Sequence, residues 1–222
     1  MDGLGDYSRN GGYVAGDVTL TNETVKCNFD RGRMFNVDSM DDEETAGVAY
    51  GRLAAEFVRT KVVPELDAFR FATYCGASNV STVAAADLAT GEAVLKAIAA
   101  AYDQMSDDEV PEENRHLFIT PTLYGLVRDL DTTKSKEVLG QFASIVKVPQ
   151  SRFYTAIEQL DGKTSGQTAG GYKKATAGVN INFMIIQKDA VVQFDKHVAP
   201  KIVTPEQNQD ADAWKFGYRN VS

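Results

Sequence analysis

The sequence predicts an α+β fold, and three features of its patterning carry that expectation. Residues 41–62 repeat Ala46, Ala49, Tyr50, Leu53 and Phe57 at helical spacing behind a run of carboxylates. Residues 117–120 and 179–186 are short apolar runs of the kind that form buried strands. The first sixteen residues hold five glycines (Gly3, Gly5, Gly11, Gly12, Gly16), too many permissive positions for a core segment. With 222 residues, of which 43% are hydrophobic and 24% charged, the chain can bury one large core or two smaller ones.

Taken in order, the glycine-rich start reads as an open turn or hairpin loop. Val18-Thr19-Leu20-Thr21 and Val25-Lys26-Cys27-Asn28-Phe29 alternate as half-buried strands do, so residues 1–29 read as an extended hairpin arm. Asp41, Asp42, Glu43 and Glu44 fill the first turn of the predicted helix, where carboxylates meet the positive end of its dipole. Its twenty-two residues span about 33 Å at ~1.5 Å each. Pro64 predicts a break or kink there, because it lacks an N–H and disfavours helix at Val63.

Residues 78–89 are small and polar, a connector. Thr90 then caps a helix with Val94, Leu95, Ile98, Tyr102 and Met105 inward. An acidic turn at 107–113 ends it, Leu117–Thr120 forms a strand, and Pro121 opens a third helix over 123–130. Residues 142–148 predict another strand. Residues 163–178, with Tyr172 as the single large apolar group, predict a mobile loop.

The chemical motifs are sparse. Gly162-Lys163-Thr164 matches the end of a phosphate-binding loop, but Ile157 occupies the place of its first glycine. The acidic run 38–44 is expected to serve helix electrostatics, since consecutive helical residues diverge too far to share a cation. His116 and His197 lack zinc spacing, and no nucleophile-elbow motif occurs. Trp214, Phe216 and Tyr218 read as packing residues rather than a base-stacking platform. Cys27 and Cys75 stand far apart and read as apolar thiols, not a disulfide. A net charge of −8 argues against tight, charge-driven nucleic-acid binding but suits a lining that encloses it without gripping. No apolar run approaches the ~20 residues of a membrane span. Met1-Asp2-Gly3-Leu4-Gly5 lacks a secretory pattern, so a soluble intracellular protein is expected. Neither a catalytic residue, a cofactor nor a metal is assigned.

Several segments, in this order, resemble the tailed-phage major capsid proteins with the fold named after the Hong Kong ninety-seven phage. Gly3-Leu4-Gly5-Asp6-Tyr7-Ser8-Arg9 with Gly12-Tyr13 is similar to the family's extended E-loop, which lies across an adjacent subunit. Asp30-Arg31-Gly32-Arg33-Met34-Phe35-Asn36-Val37-Asp38 with Met40-Asp41-Asp42-Glu43-Glu44-Thr45 resembles the entry to the spine helix, and Val63-Pro64-Glu65-Leu66-Asp67-Ala68 its exit. Arg115-His116-Leu117-Phe118-Ile119-Thr120-Pro121 and Val148-Pro149-Gln150-Ser151-Arg152-Phe153 resemble axial-domain strands, and the run from Asn180 to Tyr218-Arg219 the family's carboxyl-terminal signature. Relatives usually carry an amino-terminal arm before the E-loop and continue past the equivalent of Arg219, whereas here Met1 stands almost on the loop.

The resemblance implies an α+β subunit with three parts: an E-loop hairpin (1–28), a peripheral domain (29–85 and 189–222) containing a spine helix at 41–62, and an axial domain (86–188). The function it implies is that of a non-enzymatic structural subunit of an icosahedral bacteriophage or prophage capsid. Such a subunit assembles in the host cytoplasm into pentamers and hexamers of a virion shell around double-stranded DNA, without sequence-specific contacts or a membrane. Its partners would be copies of itself, with a scaffolding protein and a portal. Leu4, Tyr7, Arg9 and Tyr13 are the expected inter-subunit contacts. Some relatives crosslink a loop lysine to a neighbour's asparagine; residues 1–25 contain no lysine, so no crosslink is expected. An encapsulin-like nanocompartment shell is the alternative within the fold. An enzyme is the alternative outside it, and a pocket joining His197, Asp195 and a nucleophile would support that reading.

Overall fold

The computed structural model describes residues 2–45, 48–78, 80–83 and 88–222. In chain order the elements begin with β1 (Asp30–Asp38), α1 (Ser39–Glu44), α2 (Val48–Phe57), α3 (Val63–Cys75) and α4 (Gly91–Asp107). There follow β2 (Arg115–Ile119), α5 (Pro121–Arg128), α6 (Thr133–Gly140), β3 (Ser144–Lys147), β4 (Ile157–Gln159) and β5 (Tyr172–Lys174). The chain closes with β6 (Phe183–Gln187), β7 (His197–Val203) and β8 (Ala213–Val221). The fold is mixed α and β, as the patterning predicts.

The predicted helix at 41–62 differs from the observed one at both ends. Asp38 starts α1 two residues earlier, its carboxylate accepting the Met40 N–H at 3.0 Å. This first helix is only six residues long and ends at Glu44, with Thr45 as its cap. Ala46 and the side chains of Ala49 and Tyr50 lie outside the description.

At the other end the helix does not break at Pro64. A π-helical turn, Val58–Val62, leads directly into α3, which runs thirteen residues to Cys75. The Val63 N–H reaches back five residues to the Val58 carbonyl, a wider turn than an α-helix makes. Pro64 therefore stands at the first turn of α3, the place where a residue without an N–H is tolerated.

Strands β1, β8 and β7 form an antiparallel sheet in that order. Phe35 and Ile202 flank Phe216 in register, and Val37 lies opposite Trp214, so one face is apolar. Helix α2 packs on this face, with the Phe57 ring 4.7 Å from Phe35 and 6.5 Å from Tyr218. Phe216 is buried and Trp214 and Tyr218 half-buried, in keeping with packing residues.

The second sheet has the order β3–β2–β6, with β2 parallel to β3 and antiparallel to β6. Helix α4 opens on Thr90, whose hydroxyl accepts the Ala93 N–H at 3.3 Å. It buries Val94, Leu95, Ile98 and Tyr102 against Leu117 and Ile119 of β2 and Val127, Val138 and Phe142 beyond them, while Met105 stays half-exposed. Arg115 is fully buried, and among the described residues it is paired with no carboxylate. Its guanidinium donates to the Pro111, Tyr102 and Val110 carbonyls and the Ser106 hydroxyl, and stacks 4.3 Å from the centre of the Tyr102 ring.

Two sequence expectations need correction. Residues 163–178 are not loop throughout, because β5 pairs with β4 as a two-stranded ribbon. Residues 18–21 and 25–28 form no strands, and among the described residues nothing pairs with them; Val18, Leu20 and Val25 are exposed, whereas Phe29 is buried and exchanges backbone hydrogen bonds with Ser222 at 3.0 and 2.9 Å, one step beyond the β1–β8 ladder.

Candidate subunit-interface site

The feature that stands out from the folded body is the arm of residues 2–28. At its tip the Gly12 N–H donates to the Ser8 carbonyl at 2.8 Å and the Ser8 N–H to the Gly12 carbonyl at 3.2 Å. Gly12 has φ +75°, a conformation that excludes most other residues. The two legs run antiparallel below this turn. The Tyr7 and Tyr13 rings lie 5.0 Å apart, Gly5 abuts Val14, and the Asp17 N–H donates to the Asp2 carboxylate at 3.1 Å. The arm is therefore hairpin-shaped, yet Ser8–Gly12 is its one bridge among the described residues.

Of the four residues expected to form contacts, the fold brings Tyr7 and Tyr13 together, leaves Leu4 fully exposed and sets Arg9 on the exposed turn. Val14, Val18, Leu20 and Val25 extend the exposed apolar series toward the body. The arm thus presents a run of large apolar groups to water, more than a surface usually carries in one place.

A second apolar surface lies on the body, and sequence reading missed it. Ala54, Ala55, Val58 and Val63 of the long helix face Val198 and Pro200 of β7 across an open groove floored by Phe216 and Tyr218. The signal was present in the alternation of Val198, Pro200 and Ile202 along an edge strand. Pro200 itself suits an edge position, since it cannot donate to a ladder.

Helix α3 is the joint between the sheets. Glu65 pairs with Arg31 of β1 at 2.8 Å, Asp67 with Arg152 at 3.1 Å, and Arg70 with Asp195 at 2.8 Å. Phe71 packs on Phe153 and Phe118, with ring centres 4.8 and 5.5 Å away. Arg31 also donates to the Leu160 and Gly171 carbonyls, and Arg33 to those of Thr168 and Ala169, tying β1 to the loop of the β4–β5 ribbon.

The remaining motifs resolve into structure. Around Gly162-Lys163-Thr164 the centre is Asp161, whose carboxylate accepts the Lys163 and Thr164 N–H groups at 2.8 and 2.9 Å and the Thr164 hydroxyl at 2.5 Å. The Thr164 hydroxyl above all, then the two amides, lower its pKa to about 2. Asp195 is engaged by Arg70, and His197 opens the exposed edge strand within the electrostatic reach of Asp30. The Arg219 guanidinium, by a bidentate pair, holds the Asp30 carboxyl below its ordinary value. His116 shares a 2.7 Å hydrogen bond with Ser144 across the β2–β3 pair. Cys27 is exposed, whereas burial pushes the half-buried Cys75 thiol up. Among the described residues no group of three or more His, Cys, Asp or Glu is placed to hold a metal ion, and no helix is long and apolar enough to cross a membrane.

No family model and no curated protein matches the chain. Solved structures do. One of Mycobacterium phage Che8 aligns over 100% of this chain and 75% of its own, with a TM-score of 0.60 at 15% identity. The capsid structure of the cyanophage P-SCSP1u aligns over 97% of this chain and 76% of its own, at 13% identity and a TM-score of 0.46. The likeness to the Che8 structure shows a shared fold running through the whole chain.

Proposed function

We propose that the chain is a structural subunit of a bacteriophage capsid, built to assemble and not to catalyse. The observation that carries this reading is the exposed arm, with Leu4, Tyr7, Tyr13, Val14 and Leu20 in water, on a body whose fold is shared end to end with a phage structure. Residues 2–28 act as the E-loop, the first sheet and the long helix as the peripheral domain, and the second sheet with α4–α6 as the axial domain. Copies meet as pentamers and hexamers of a closed shell around double-stranded DNA. The acidic balance keeps the protein from gripping its cargo. A scaffolding protein and a portal are the further partners.

Leu4, Tyr7, Arg9 and Tyr13 lie across the adjacent subunit. Tyrosine and arginine suit that role, because each carries a large contact area together with a polar group that stays satisfied when buried. Tyr7→Ala with Arg9→Ala should leave the denaturant midpoint of the isolated subunit unchanged and reduce its assembly, followed by light scattering. A variant that unfolds at lower denaturant yet assembles normally would place the arm in the subunit core and overturn the reading.

A further inference from the structure

Asn10-Gly11 is the one Asn-Gly pair in the chain, and the fold sets it at the tip of the arm. Both residues are exposed, within the turn closed by the Ser8–Gly12 bonds. Glycine puts no Cβ beside the Gly11 nitrogen, so that nitrogen can approach the neighbouring side chain more closely than in any other residue. One contact opposes the approach: the Gly11 N–H donates to the Ser8 hydroxyl at 2.7 Å.

We infer that Asn10-Gly11 is a site of spontaneous, backbone-assisted deamidation whose rate is restrained by the Ser8 hydroxyl. Base removes the Gly11 amide proton, and the nitrogen attacks the Asn10 side-chain carbonyl carbon. The new N–C bond closes a five-membered succinimide as the C–Nδ2 bond breaks and ammonia leaves with a proton. Water then opens the ring at either carbonyl. Opening at the side-chain carbon gives aspartate; opening at the main-chain carbon gives isoaspartate, with the chain rerouted through Cβ. The balance needs only water and hydroxide.

Either product places a carboxylate beside Arg9, and isoaspartate adds a backbone carbon inside a turn held by the Ser8–Gly12 bonds. The Asp161-Gly162 pair supplies an internal contrast. It too precedes a glycine, of φ +72°, but its carboxyl is held ionised by Thr164 and offers no comparable leaving group. The chemistry should therefore concentrate at the arm tip.

The test is peptide mapping by mass spectrometry, with enzymatic labelling of isoaspartate, on the full chain incubated at mildly alkaline pH. Asn10 should convert ahead of the other asparagines and yield both products. Ser8→Ala should speed conversion about fivefold, the rate equivalent of one ordinary net hydrogen bond. Gly11→Val should slow it, and Asn10→Gln should remove the signal. Unchanged circular dichroism in each variant would confirm that the body stays folded. Retention of the Asn10 amide while other asparagines convert, or equal rates for the parent chain and Ser8→Ala, would overturn the inference.

Discussion

At the scale of single residues, the chain's polar side chains are used to hold backbone in place. Asp161 gathers three donors onto one carboxylate, and its ionisation falls to about 2 as a result, led by the Thr164 hydroxyl. A carboxyl that ionises below its unfolded value of ~3.9 stabilises the fold above that pH and loses the contribution as the pH falls through the folded value. Protection of the Lys163 and Thr164 amides, relative to their intrinsic exchange rates, should therefore fall between about pH 4 and 2, with the Asp161 carboxyl titrating near the low end by NMR. A titration centred near ~3.9 with no change in amide protection would show that the clip does not form. Here the sequence was misleading in one respect. Gly162-Lys163-Thr164 invites a phosphate-loop comparison, whereas the informative spacing is Asp161 to Thr164, a turn in which a side chain caps the backbone. Arg115 left no such trace. A basic residue before an apolar run reads as the polar start of a strand, and only the carbonyls of the folded 102–111 segment explain its burial.

At the scale of elements, periodicity was a good guide to helices and a poor one to where they stop. Helix α4, its Thr90 cap and four of its inward residues were legible because capping and spacing are both local. The helix through Pro64 was not, because the π turn that accommodates the proline depends on a register shift with no signature in composition. Its continuation matters, since α3 carries Phe71 into the second cluster against Phe118 and Phe153. Phe71→Ala should cost ~3–5 kcal/mol in denaturant titration, as expected for an aromatic removed from a packed core. Leu53→Ala, on a half-buried position of α2, should cost less, because water already reaches part of the side chain. Equal effects of the two would mean that α3 is not the joint between the sheets. The arm shows the opposite failure. Its alternation reads as strand, but alternation specifies a face and not a partner, and an isolated ribbon has too little to bury.

At the scale of the whole molecule, two sheets are joined through one helix by ion pairs and aromatic packing, and an apolar arm projects from the body. The α+β class was legible from the sequence, as was the isolation of the glycine-rich start. The order of strands in each sheet was not, because β1 pairs with β8 across nearly the full length of the chain and nothing local encodes that register. The groove between the long helix and β7 was hidden for the same reason: its two walls are far apart in sequence. We propose a shell-forming subunit whose arm is ordered by a neighbour. Electron cryomicroscopy of the expressed protein, concentrated under assembling conditions, tests it most directly. Closed shells or their pentameric and hexameric parts are the expected result, with density for Leu4, Tyr7, Arg9 and Tyr13 lying against the adjacent subunit. Particles that remain single subunits under all such conditions, or shells in which each arm folds back on its own body, would contradict it.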